Sequence, residues 1–336
     1  MSSQPVGILS TGAYVPERVV GNEELAPRIG VTAEWIERKT GIRARRWADP
    51  SEATSEMAVA AATRALEQAG LTADRIDHLI VTTSTGDAPL PPTACLVQAE
   101  LGAHRAAAFD LNIACSGFVH GLAVAHGLVA QNPGSHALVV AADLWSRFVD
   151  FGDRGTAALL ADGAGAAVVG AVPGPYGILG TDLLSHGDES SLLVIEAGGS
   201  RKPASHATVD EGGHFLRMRG REVSDFVLGK VPQAVKDLLA KTGVRREDIA
   251  HFVPHQANGV LLGRLAEQIG FENARTHLTV GEYGNSGAAS MAVTLDDANR
   301  SGLLRDGDLV LLVGFGGGMA LGASLLRWRT TGRVEL

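Results

Sequence analysis

One of only two cysteines in the 336-residue chain, Cys115, stands in LNIACSGFVHGL (111–122). It follows the strand-like AAAFDLNIA and heads CSGFVHGLAVAHGLVA, a segment apolar on nearly every face of a helix. A sulfur at a strand-to-helix junction meets free backbone N–H groups and the positive end of the helix macrodipole. Both favour thiolate, lower the thiol pKa and make the sulfur nucleophilic. The small neighbours Ala114, Ser116 and Gly117 let a carbonyl approach the backbone. An inert core cysteine looks the same locally, and Cys95, inside PPTACLVQAELGA, reads as such a helix-interior core residue.

A thiol nucleophile needs partners, and most of the eleven histidines read as surface or packed imidazoles. His255 differs. It belongs to FVPHQANG, just beyond the carboxyl end of an apolar strand, where sites of open α/β sheets cluster; a hydrogen-bonded structural histidine is the alternative. Asn285, in the glycine-flanked GEYGNSGAAS, either caps the helix that follows or turns an amide N–H toward a developing oxyanion beside His255. In GFGGGMALG, Gly316-Gly317-Gly318 leave backbone N–H groups open to a ligand. The run ERKTGIRARR sets Arg38, Lys39, Arg43, Arg45 and Arg46 against one acid, either as a solvated basic face or as a local phosphate site.

The elements that must position these residues repeat. LEQAGLTADRIDHLIV and LAKTGVRREDIAHFVP align without a gap, so that Leu66, Gly70, Ile76 and His78 recur 173 positions on as Leu239, Gly243, Ile249 and His251. An offset near half the chain predicts a duplicated fold and not a solenoid of short repeats. Each half carries a helix then a strand (56–70 then His78–Val81 in the first), followed by paired apolar strands: 135–145 with 163–172, and 307–318 with 318–328. Helices alternating with strands predict α/β layers. The boundary is expected at Pro173-Gly174-Pro175, dividing the chain into 1–173 and 174–336. The polar stretch from about 186 to 220 reads as a surface excursion.

Bulk properties narrow the functions. A net charge of −8 with aromatics at 5% argues against nucleic-acid binding. No charged residue occurs between Leu111 and Ala142, but glycines and Gln131-Asn132-Pro133-Gly134 break the run below the ~20 residues a membrane span needs, so a buried helix is expected. MSSQPVGILS does not read as a secretory signal, and two cysteines do not build a disulfide scaffold. The expected setting is a reducing cytoplasm.

Together, ACSGF, PHQAN, YGNSGAAS and FGGGMALG occur in order on a duplicated α/β chain, with STGAYVPERVV, WIERKTGIRARR and DRGTAALLADGAGAAVV around them. Over nearly its whole length the chain resembles thiolase-fold condensing enzymes, specifically the β-ketoacyl-(acyl carrier protein) synthase III family. The resemblance implies a thiolase-like fold of duplicated βαβαβ halves in five α-β-α-β-α layers. It implies that Cys115 takes an acyl group from acyl-CoA and completes a triad with His255 and Asn285. A malonyl-thioester, on acyl carrier protein or CoA, then loses CO₂, and its enolate attacks the acyl-enzyme. His255 and Asn285 act as neutral donors to the enolate, the backbone N–H groups of Cys115 and Gly317 form the oxyanion hole, and Phe315 lies beside the malonyl group.

The same likeness assigns Trp35 to stacking on the CoA adenine with Arg154 on its other side. It makes Leu90 an acyl-pocket gate that crosses the interface of a homodimer. No metal or cofactor is implied beyond the thioester substrates. Two departures concern the carrier: Lys39 replaces the family's usual arginine, and Gly259-Val260 stand where an arginine is often found after PHQAN. An aliphatic gate at Leu90 predicts primers longer or more branched than acetyl. Competing readings are acyl transfer to a hydroxyl or amine without condensation, and a catalytically silent subunit.

Overall fold

The computed structural model describes residues 4–330; residues 1–3, the first of the stretch read for a leader, and residues 331–336 lie outside it. The first sheet holds β1 (Val6–Tyr14), β2 (His78–Thr82), β3 (Ala107–Leu111), β4 (Ala137–Leu144) and β5 (Asp162–Ala171), in the order β1-β5-β4-β2-β3. The second holds β6 (Gly177–Ser185), β7 (His251–Pro254), β8 (Arg275–Thr276), β9 (Leu309–Gly316) and β10 (Ala320–Arg327), in the order β6-β10-β9-β7-β8. Each strand of the second sheet thus occupies the place of the strand five earlier, which is the duplication expected from the sequence. A short turn containing Pro173-Gly174-Pro175 separates β5 from β6.

In both sheets the two central parallel strands are buried on both faces and read as unbroken apolar runs, as covered parallel strands do. Helices supply the covers. In α2 (Thr54–Ala69), Met57, Ala58, Ala61, Ala62, Ala65 and Leu66 recur at helical spacing and bury one stripe against the outer face of the first sheet, joined by α3 (Thr93–Leu101). The long α5 (Gly220–Thr242) and α6 (Gly259–Ile269) cover the outer face of the second, where Val227, Val231 and Leu238 meet Phe252 and Leu311.

Between the sheets lie α4 (Gly117–Gln131) and α7 (Ala289–Arg300). Phe118, Leu122, Met291 and Leu295 pack with Ile80 and Val139 of one sheet and Val253 and Leu312 of the other. The layers are therefore α-β-α-β-α, and the uncharged run 111–142 is explained by an inner helix sandwiched between two sheets. The polar excursion is more ordered than expected: it contains a two-stranded antiparallel pair, Leu193–Ile195 with Leu216–Met218, and a short helix at His206–Asp210.

Candidate active site

Cys115 sits where β3 gives way to α4, inside a single 3₁₀ turn, Ala114–Ser116. Ala114 has φ +43°, the one positive value on a non-glycine among the described residues. A conformation of this kind costs about 1–3 kcal/mol and is held only by surrounding structure. The end of β9 supplies that structure: a Cβ placed on Gly316 would lie 2.8 Å from the Cβ of Cys115, and one on Gly317 3.4 Å from the Cβ of Ala114. Cys115 is buried. Its thiol is pushed up to about 12, by burial first and by the Asp143 carboxylate second, while a backbone N–H works in the opposite direction. The expectation of a lowered pKa is thus corrected, because desolvation outweighs the helix end.

His255 follows Pro254 at the carboxyl end of β7 and is 2% exposed. Its Nδ1 lies 2.7 Å from Ser290 Oγ, which also accepts the Gln256 N–H at 3.1 Å. The Phe315 ring meets it edge to face at 5.3 Å. Burial lowers the imidazole pKa to about 3, partly offset by the neighbouring Gly287 carbonyl, so the ring is neutral.

Asn285 belongs to no helix cap, since α7 begins four residues later. Its backbone is pinned in the loop after Thr156, donating to Leu159 O and accepting from Ala161 N, both at 2.9 Å. Gly287 N–H donates to its Oδ1 at 3.0 Å, which leaves Nδ2 to donate, here to Ala257 O at 3.3 Å. Ala257 is two residues past His255, Phe315 touches the His255 ring, and Gly316 touches Cys115. The segments that carry the thiol, the imidazole and the carboxamide are therefore neighbours, brought together from three remote parts of the sequence.

Of the residues assigned by resemblance to the thioester carrier, Trp35 and Lys39 lie on α1 (Ala33–Thr40), whose carboxyl end docks on α6 through Asn258 Nδ2 donating to Lys39 O at 3.3 Å. The Arg154 guanidinium lies 5.5 Å from the Trp35 ring centroid. Two stacking contacts of about 3.5 Å each would need about 7 Å, so an adenine between them requires Arg154 to shift. Leu90 is 80% exposed. The basic run is neither a uniform solvated face nor a phosphate cluster. Arg45 is fully buried, donating to Val20 O, Asn22 Oδ1 and Ala158 O; Arg43 pairs with Glu282; Arg46 donates to Pro16 O. Arg38 and Lys39 remain exposed. Cys95 is half-buried in the first turn of α3, and not core as expected.

Ser290, which orients His255, was not singled out by sequence reasoning, although it ends the quoted GEYGNSGAAS. Nothing in a lone serine at the second position of a helix marks it. Asp143 is a second such residue. His251 and His277 are packed imidazoles as read, 2.9 Å apart, with His251 Nε2 3.0 Å from Asp308.

Two stacked, duplicated sheets with a cysteine at the inner helix end define the thiolase fold of condensing enzymes. Family models of 3-oxoacyl-[acyl-carrier-protein] synthase III match residues 109–187, and of its C-terminal part residues 239–328. The chain is 44% identical over 322 residues to a β-ketoacyl-[acyl-carrier-protein] synthase III of Caldanaerobacter subterraneus, covering 96% of this chain and 97% of that one. It is 47% identical over 323 residues to the acetoacetyl CoA synthase NphT7 of a Streptomyces species, covering 96% and 98%. A crystal structure of a 3-oxoacyl-(acyl-carrier-protein) synthase III superposes with a TM-score of 0.92 at 33% identity, covering 96% of this chain and all of that one. A priming β-ketosynthase of a polyketide pathway gives 0.89 at 37%, covering 96% of each. The chain belongs to the β-ketoacyl-[acyl-carrier-protein] synthase III family and is an enzyme of its condensing type.

Proposed function

We propose that the chain joins an acyl group from acyl-CoA to the two-carbon unit of a malonyl-thioester, with Cys115, His255 and Asn285 as catalytic residues. The Cys115 thiol gives up its proton to water as Sγ attacks the thioester carbonyl. The oxyanion meets the backbone N–H groups of Cys115 and Gly317, and collapse expels CoA thiolate, which takes a proton from water in turn. The malonyl-thioester then loses CO₂. The enolate oxygen accepts from the imidazole N–H and from Asn285 Nδ2, and the carbanion attacks the acyl carbonyl on Cys115. Collapse releases the β-ketoacyl-thioester and the cysteine sulfur, which takes a proton from water. Side chains and substrates suffice, so the reaction as written uses no metal or cofactor.

The observation that carries this reading is the polarity of the two partners. Asn285 Oδ1 is occupied by Gly287 N–H, leaving its N–H₂ to donate, and His255 Nδ1 faces a serine hydroxyl and not a carboxylate. Transfer to an alcohol would need a histidine made basic by a carboxylate; a pair of neutral donors suits an enolate. The Phe315 ring against His255 suits a pocket that favours CO₂ loss over hydration of the carboxylate.

The test follows radiolabelled CO₂ release and acyl loading separately. Cys115→Ala should abolish loading, whereas Asn285→Ala should load while condensing about 100-fold more slowly or worse; loss of loading in both would sink this division of roles. Donor preference is read by comparing malonyl-CoA with malonyl-acyl carrier protein, to which Trp35, Lys39 and Arg154 are proposed to contribute. Primer preference is read by comparing acetyl-, isobutyryl- and hexanoyl-CoA, with Leu90 as gate. The free edge of β3 and exposed Leu90 and Leu96 support a homodimer, which sedimentation tests.

A further inference from the structure

Asp143, next to last in β4, is fully buried, and its hydrogen-bond donors among the described residues are all neutral. Oδ1 accepts from Ser84 N at 2.8 Å and from the Thr83 and Thr85 hydroxyls at 3.2 Å each. Oδ2 accepts from Ala288 N at 2.8 Å. Four donors for one buried carboxylate satisfy its lone pairs without a cation. The two oxygens look toward different halves of the chain.

On the Oδ1 side, Ser84 Oγ donates to Asn112 Oδ1 at 2.8 Å, and the same oxygen accepts from Ala114 N at 3.4 Å, the strained residue before the nucleophile. On the Oδ2 side, Ala288 lies between the groups that orient the other two partners. Gly287 N–H holds the Asn285 carboxamide, and Ser290 Oγ holds His255. The Asn285–Ala288 turn is seated directly on the carboxylate: Gly287 has φ +59°, and a Cβ there would fall 2.2 Å from Asp143 Oδ2. One side chain therefore links the turn ahead of Cys115 to the turn that aims His255 and Asn285.

We propose that Asp143 is a positioning residue for condensation, its carboxylate clamping the Asn285–Ala288 turn to the Thr83–Thr85 turn and so fixing imidazole and carboxamide relative to Cys115. The acyl-transfer step depends on Cys115 and its own backbone donors, while CO₂ loss and bond formation depend on both clamped partners. The proposal rests on the reaction proposed above.

The test is Asp143→Asn. Its carboxamide keeps one acceptor for Thr83, Ser84 and Thr85 but sets an N–H₂ against Ala288 N–H, donor facing donor. In the folded variant, acylation of Cys115 followed by intact mass should stay within about threefold of the parent. The kcat for CO₂ release and condensation should fall about 100-fold, the cost of misplacing reacting groups by about 1 Å, with KM for the malonyl-thioester changed less than about threefold. A merely structural residue would lower both steps together. Equal losses, or parental condensation, would overturn the proposal; a parent enzyme that loads but releases no CO₂ would overturn instead the reaction it rests on. Should Asp143→Asn fail to fold, Thr83→Val decides. It removes one donor to Asp143, together with the acceptor of Thr85 N–H at 3.0 Å in the same turn, at constant volume and should move the loading-to-condensation ratio the same way by about threefold, and an unchanged ratio would reject the clamp.

Discussion

The donor role proposed for His255 requires an imidazole kept from holding a second proton, and that has a measurable cost to stability. With a folded pKa near 3 against an ordinary 6.5, the unfolded chain binds a proton at this residue that the folded chain refuses. The stability it contributes is complete above pH 6.5 and is lost as pH falls toward 3, at up to about 1.4 kcal/mol per pH unit. Asp143 has the opposite sign: raised from 3.8 to about 6 by burial, it contributes stability that is present below pH 3.8 and lost as pH rises through 6. Between about pH 4 and 6 the two slopes offset each other. Replacing His255 with glutamine should leave the Asp143 slope exposed, so that the variant gains on the parent as pH falls from 6 to 4 in urea denaturation. A constant difference across that range would contradict the buried neutral imidazole. Cys115 provides a second check at this scale. With the thiol pushed up to about 12, alkylation of the free enzyme by iodoacetamide should rise steadily with pH through 10 without a plateau near neutrality. The distribution of product between Cys115 and the half-buried Cys95 is read by peptide mapping.

At the scale of elements, one side chain joins α1 to α6 beside the close approach of Gly41 to Gly259. Asn258 caps α6 by accepting from Val260 N at 2.9 Å and Leu261 N at 3.0 Å, while its N–H₂ reaches Lys39 O. Asn258→Ala should cost about 1–2 kcal/mol of stability by thermal denaturation, and because Trp35 and Lys39 ride on α1, KM for acyl-CoA should rise more than kcat falls. The elements themselves were legible wherever a period survived. Strands β2 and β7 and the helices before them show the duplication because buried stripes constrain both copies alike. Positions in β3 and its first-half neighbours that carry chemistry read less clearly. Cys115 was visible because a polarisable sulfur among small residues is rare, and His255 because it ends a strand. The fate of Arg45 was not visible, since a guanidinium that binds three carbonyl-type oxygens in the interior has the same letters around it as one in water. Nor was Asp143, whose partners lie about 60 and 145 positions away and leave no local pattern.

For the molecule as a whole, the decisive feature is that the inner layer carries residues from both halves. Cys115 lies in the turn that leads into α4 and Asn285 in the one that leads into α7, and the two helices share the space between the sheets, so the spacing of the layers sets the spacing of these two residues. Gly165 of β5 controls that spacing on the α7 side. A Cβ on it would lie 2.5 Å from the Ala292 Cβ and 2.8 Å from the Ala292 and Val293 backbone, contacts no side-chain rotation can relieve. Gly165→Ala must therefore push α7 away from the first sheet, drawing Ala288 off Asp143 and Ser290 off its place beside His255. Overpacking of this kind costs about 1–3 kcal/mol, read as a lower urea midpoint with an unchanged slope. The displacement acts on α7 and leaves the β3–α4 junction in place, so condensation should fall by more than loading, as for Asp143→Asn. If Gly165→Ala lowers stability yet leaves the ratio of loading to condensation untouched, the inner helices are adjusting independently of the site, and the link between layer spacing and chemistry fails.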